Sequence, residues 1–172
     1  GHERGPLRVE PKNHDFTRVG DEPLLLAAHA PTWVSHERRA GCLAAAKAGA
    51  DIIIMDDGFQ NPCVAKDFSI IVIDGGYGFG NAKLIPAGPL RETIAGGLAR
   101  AQAVVVIGED RTGCMDLVSR HGHSPLCARL DTESFPEDIS GKPVVAFTGI
   151  GRPDKFFETV SGLGCLIEAQ IS

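Results

Sequence analysis

The sequence is poor in the features that announce a membrane span, a secretory route or a nucleic-acid partner. No apolar run among its 172 residues approaches the roughly 20 needed to cross a bilayer as a helix. The stretch Gly1-His2-Glu3-Arg4-Gly5-Pro6 is polar and lacks the apolar h-region of a signal peptide. Cysteine is sparse, odd in number and scattered: Cys42, Cys63, Cys114, Cys127 and Cys165 form no CxxC pair. That set points to reduced thiols in a cytosolic compartment rather than a disulfide framework. Positive charge is short, with a net charge of −5. This removes the general case for nucleic-acid binding and leaves room only for a local basic patch. No GxxxxGK followed by Ser or Thr occurs, so the chain carries no Walker A loop. Internal repeats and low-complexity segments are missing as well. What remains is ordinary: 43% hydrophobic and 23% charged residues suit a soluble globular protein with a real core.

Short β-rich runs alternate with helical stretches, which predicts an α/β fold with a mainly parallel sheet flanked by helices. Strands are expected at Leu7 to Glu10, Thr32 to Val34, Asp51 to Met55 and Asp67 to Asp74. Further strands are expected at Ala103 to Ile107, Pro125 to Leu130, Pro143 to Phe147 and Cys165 to Ile171. Helices are expected from Asp21 to Ala28 and from about His36 to Ala48, the latter capped by Ser35 and closed by Gly49. Two more fall near Thr112 to Arg120 and from Pro153 to about Ser161. Residues 75 to 93, rich in Gly and Pro, read as a long ordered loop. Such loops in compact domains are usually functional.

The most informative residues are Asp56-Asp57-Gly58-Phe59-Gln60. The apolar run Ile52-Ile53-Ile54-Met55 before them reads as a strand buried on both faces. Two carboxylates then stand at its C-terminal end, where open α/β sheets bind their ligands. A strand that ends this way is suited to holding a magnesium ion; the plainer alternative is an Asp-Gly turn. Gly76-Tyr77-Gly78 has no Gly three residues on, and Pro86 and Pro89 fall where a phosphate-binding helix would begin, so a dinucleotide fingerprint is not expected. Arg91-Glu92 comes after those prolines. Arg suits bidentate phosphate recognition and Glu suits magnesium; a surface loop that needs freedom is the alternative. Asp21 and Glu22 sit at a helix entrance, where carboxylates are stabilising for electrostatic reasons alone. Gly149 to Pro153 reads as a tight turn from strand to helix. His121-Gly122-His123 fits no familiar zinc spacing. Lys12, Arg18, Arg38 and Arg39 read as solvated surface.

Together these blocks resemble the tetraacyldisaccharide 4'-kinase family of the lipid A pathway. Val19-Gly20-Asp21-Glu22-Pro23, Asp56 to Gln60, Gly78-Phe79-Gly80-Asn81 and Leu84 to Glu92 occur in family order. Ala146 to Gly151 and Phe156-Phe157 resemble the family's later strand, turn and helix. The resemblance implies a P-loop NTPase-like kinase that moves the γ-phosphate of ATP to the 4'-hydroxyl of an acylated glucosamine disaccharide 1-phosphate. It implies Mg2+, peripheral contact with the cytoplasmic face of the bacterial inner membrane, and no nucleic-acid partner. It places Asp56, Asp57 and Glu92 on the metal, Asp57 and Asp21 in catalysis, and Gln60, Asn81 and Arg91 on the substrate.

Three departures shape the expectation. The family's Walker A loop precedes the first matching segment, Asn61 stands where the family has histidine, and the downstream histidine that partners Asp21 lies beyond residue 172. Residues 1 to 172 are therefore expected to be one incomplete α/β domain, with a second-domain portion possible from about residue 103. The expected form is a central fragment that does not turn over ATP by itself. The rival readings are a non-catalytic α/β binding module and another magnesium-dependent phosphotransferase or hydrolase.

Overall fold

Two compact units, divided after Cys127, make up the computed structural model, which describes residues 4–131, 139–150 and 153–171. In the first unit, β1 (Leu7–Arg8) and β2 (Trp33–Val34) pair antiparallel. Between them lie α1 (Phe16–Val19) and α2 (Asp21–His29). The Asp15 carboxylate caps α1 by accepting from the Arg18 amide. Gly20, at φ 95°, breaks the chain between the two helices, a conformation that favours glycine. Helix α3 spans Arg38–Lys47, shorter at its start than expected. Ser35 does not cap it: the cap position falls at Glu37, which makes no side-chain cap bond, and the Ser35 hydroxyl donates to the Glu37 carbonyl. The expected Gly49 terminus holds, with φ at 93°.

The expected buried strand at Asp51 to Met55 is not present. These residues belong to no strand, and Ile52 and Ile54 are 83% and 92% exposed. The reason is physical: apolar, β-branched residues favour a pleated surface only where a neighbouring strand completes the ladder. No described strand pairs with them. The strand expected at Asp67 begins later, as β3 (Ile70–Asp74), and runs parallel to β4 (Ala103–Ile107) with Ile70 opposite Ala103 and Asp74 opposite Ile107. The third strand, β5 (Leu126–Ala128), stands at the unit boundary in the order β3-β4-β5. It is shorter than the expected Pro125 to Leu130.

The crossover from β3 to β4 contains α4 (Ile94–Leu98), five residues that sequence periodicity does not reveal. The Thr93 hydroxyl starts it by accepting from the Gly96 amide at 3.1 Å. Helix α5 (Cys114–Arg120) follows β4. Ile73, Leu98, Val104, Val106, Cys114 and Val118 form the core, one layer of sheet against these two helices. In the second unit, β6 (Pro143–Phe147) and β7 (Leu166–Ile171) pair in parallel with α6 (Pro153–Gly162) between them in the chain. A bulge between Val144 and Val145 shifts their register. Both strands agree closely with expectation. The Gly149–Pro153 turn lies partly outside the described residues.

Helix α5 carries a pH-sensitive start. Asp110 accepts from the Met115 amide at 2.9 Å through Oδ2, and from the Thr112 and Cys114 amides at 3.0 and 3.1 Å through Oδ1. The Met115 amide is the largest of the influences that hold this carboxyl far below the usual carboxylate range. A depressed carboxyl stabilises the fold above its unfolded value, about 4, and loses that contribution as pH falls toward its folded value. Asp110→Asn replaces Oδ2 with a group that cannot accept from Met115. The variant is expected to melt lower than wild type at neutral pH, with the gap closing below about pH 4, as read from melting temperature against pH.

Candidate functional site

The acidic turn follows the Asp51 to Met55 segment. Gly58 is buried in it, and a Cβ there would lie 2.6 Å from the Met55 Cβ, so the turn needs glycine. Asp57 itself has φ of 45°, the left-handed region that few side-chain-bearing residues visit and in which Asn and Asp are enriched. Strain of that kind collects at functional sites. The Asp56 and Asp57 carboxylates are both exposed.

Four contacts fix the turn. The Arg38 guanidinium, from the first turn of α3, donates to the Asp56 carbonyl at 2.9 Å. This corrects the reading of Arg38 as mere solvated surface. Arg91 Nη1 stands 3.6 Å from Asp57 Oδ2, with both side chains well exposed; such a pair orients more than it stabilises. Gln60 Nε2 donates to Glu92 Oε1 at 2.8 Å. Phe59 lies under the Arg100 guanidinium at 4.9 Å. Residues far apart in sequence thus converge: Asp57 with Arg91, and Gln60 with Glu92.

Glu92 is the most engaged carboxylate of the group. Arg100 grips it with two donors, at 2.6 and 2.9 Å. Arg100 and then Gln60 hold its pKa below the usual carboxylate value. Neither Arg38 nor Arg100 stands out in the sequence, because no local pattern marks a contact across 18 residues or the meeting of Arg100 with Phe59.

Asn61 turns the chain by accepting from the Cys63 amide at 2.9 Å. Asn81 closes the following loop. Its amide donates to the Ala87 carbonyl at 2.9 Å and its Oδ1 accepts from the Lys83 amide at 3.1 Å. Gly88 packs directly against Asn81 Oδ1 and the Lys83 carbonyl. Gly88→Ala is expected to overpack this loop and cost about 1–3 kcal/mol, measured by urea unfolding. Asp21 opens α2 behind Gly20 and is exposed, with no side-chain cap on that helix. Among the described residues, no hydrogen bond or ion pair links Asp21 or Asn81 to the acidic turn. The two histidines near α5 are spent on backbone carbonyls, His121 on Leu117 and His123 on Leu98, each at 2.9 Å.

The sequence that builds this acid-rich turn and glycine-proline loop matches a family model along its whole length. The model of the tetraacyldisaccharide-1-P 4'-kinase family matches residues 1–172. The chain belongs to that family. Tetraacyldisaccharide 4'-kinases of Rhodospirillum centenum and Paramagnetospirillum magneticum are each 54% identical to it, over 97% and 100% of this chain and 50% and 53% of their own. That of Rhodospirillum rubrum is 51% identical over 99% of this chain and 52% of its own. The chain therefore spans about half the length of these curated relatives. No solved structure matches it.

A kinase of this family raises the question of a metal. By donor chemistry the Asp56 and Asp57 carboxylates fit magnesium, a hard cation that commonly takes one or two carboxylates beside substrate phosphates. Glu92 in this arrangement gives both oxygens to Arg100 and Gln60. Among the described residues, no group of three or more His, Cys, Asp and Glu is placed to hold a metal ion.

Proposed function

We propose that the chain contributes the acidic half of the active site of an ATP-dependent, P-loop NTPase-like kinase. Its substrate is a tetraacylated glucosamine disaccharide 1-phosphate, the lipid A precursor, phosphorylated at the 4'-hydroxyl. The observation that carries this reading is the coupling of Asp56 to Gln60 with Arg91 and Glu92, in a chain that matches the family from end to end.

The chemistry follows from phosphoryl transfer, in which positioning and charge neutralisation do most of the catalysis. The 4'-oxygen forms a bond to the γ-phosphorus while the bond to the β,γ-bridging oxygen breaks and ADP leaves. The hydroxyl proton passes to Asp21, acting as general base. Asp56 and Asp57 supply the hard oxygens for magnesium, which when bound neutralises charge on the phosphates. Arg91 faces the transferring phosphoryl group, and its exposed contact with Asp57 leaves the guanidinium accessible. Gln60 and Asn81 shape the substrate side of the turn and loop. Glu92 acts on the same centre through Gln60. The lipid substrate calls for peripheral contact with the cytoplasmic face of the inner membrane. None of the described helices is long and apolar enough to cross one.

ATP consumption by the full product of the encoding gene, measured with and without the disaccharide lipid, tests the reading. Lipid-dependent consumption with one phosphate gained per ATP is the expected result. Lipid-independent hydrolysis would replace the kinase with a hydrolase, and no consumption would favour a binding module.

A further inference from the structure

We infer that Arg100 is a positioning residue that sets the acidic turn through Glu92 and Phe59, an inference that rests on the kinase reading for its activity arm. Arg100 lies just past α4, and its side chain makes three separate contacts. It holds both oxygens of Glu92, at 2.6 and 2.9 Å. It donates to the Gly96 carbonyl of α4 at 3.0 Å. Its face covers the Phe59 ring at 4.9 Å. Its own carbonyl accepts from Gln102 Nε2 at 3.3 Å, and Gln102 Oε1 accepts from the Ser69 amide at 2.7 Å, next to β3.

The consequence is geometric. Glu92 follows the Gly-Pro loop, and its carboxylate could swing through several rotamers. The guanidinium is a rigid planar fork that matches a carboxylate with two parallel donors. Held in that fork, Glu92 presents one oxygen to Gln60 at 2.8 Å. Phe59, the residue before Gln60, is held by the same guanidinium. The turn bearing Asp56 and Asp57 is thus held at Phe59 by the Arg100 guanidinium and at Gln60 through Glu92. That side chain is tied to α4 at the Gly96 carbonyl, and its backbone is tied through Gln102 to the residue before β3. Lysine would supply a single point charge without the fork or the planar face, so it could satisfy only part of this arrangement. The Arg100 side chain is half exposed, so its ion pair alone contributes little to stability. What it contributes is orientation.

Two measurements test this on the full gene product. In the first, Arg100→Ala and Arg100→Lys are compared with wild type in steady-state transfer. Misplacement of a reacting group by about 1 Å costs on the order of 10²-fold in rate. Arg100→Ala is expected to lower kcat by about 10- to 100-fold, with KM for ATP and lipid within about twofold. Arg100→Lys is expected to recover part of the loss. Wild-type kcat in Arg100→Ala, or a loss lying wholly in KM, would overturn the proposal. The second needs no activity: a urea-unfolding cycle of Arg100→Ala, Gln60→Ala and the double variant. Arg100 and Gln60 share Glu92 as partner, and residues in one such network are expected to couple by more than about twofold in the unfolding constant; strict additivity would overturn the bridge. If wild type transfers no phosphate, the kinase reading falls and the unfolding cycle still decides the positioning role.

Discussion

Asp21→Asn is expected to lower phosphoryl transfer by about 10²- to 10⁴-fold, the range lost when a positioned general base is removed. The same substitution separates chemistry from helix electrostatics. Asp21 and Glu22 both occupy the first turn of α2, where a carboxylate stabilises the helix. Removing one such charge costs about 0.3–1 kcal/mol. Were Asp21 only a helix charge, Asp21→Asn and Glu22→Gln would behave alike: a slightly lower melting temperature and unchanged kcat. A base role predicts matched melting curves and a large kcat difference between the two variants. Equal kcat values would remove Asp21 from the chemistry.

Asp57→Asn is the second large effect, with an expected fall in kcat of about 10²- to 10³-fold, the scale of losing one electrostatic contact to the transition state. Asparagine is the informative replacement because Asp57 sits at φ of 45°. Asn enters the left-handed region as readily as Asp, whereas Ala would add backbone strain to the loss of charge. The Asn variant therefore keeps the turn and removes only the charge. Its pairing with Arg91 at 3.6 Å is exposed, so stability should stay within about 1 kcal/mol of wild type. The check is kcat beside urea unfolding. A variant that folds normally and transfers at the wild-type rate would move the essential charge to another residue.

Features written in local chemistry were legible in the sequence. The Asp-Gly turn, the proline-stiffened loop to Arg91 and the two strands Ala103–Ile107 and Pro143–Phe147, each in its own sheet, carry their signal within a few residues. Where structure depends on partners, the sequence misled. The Ile52 to Met55 run has the composition of a buried strand, but a strand is a pairing, and no described neighbour supplies it. Helix α4 escaped notice because five residues with two glycines carry no helical periodicity. Its existence rests on the Thr93 cap and on Leu98 being 1% exposed in the core. The site was legible in part for the same reason. Asp56, Asp57, Gln60, Arg91 and Glu92 stand out as candidates from their turn and loop, while Arg38 and Arg100 make contacts that only the folded chain creates.

The most direct measurement is the position of the phosphate added to the disaccharide lipid by the full gene product with ATP and magnesium, read by phosphorus–proton correlation NMR. A single new phosphomonoester coupled to the proton at the 4'-carbon is the predicted result. A new phosphate at any other position, or inorganic phosphate with the lipid unchanged, would contradict it.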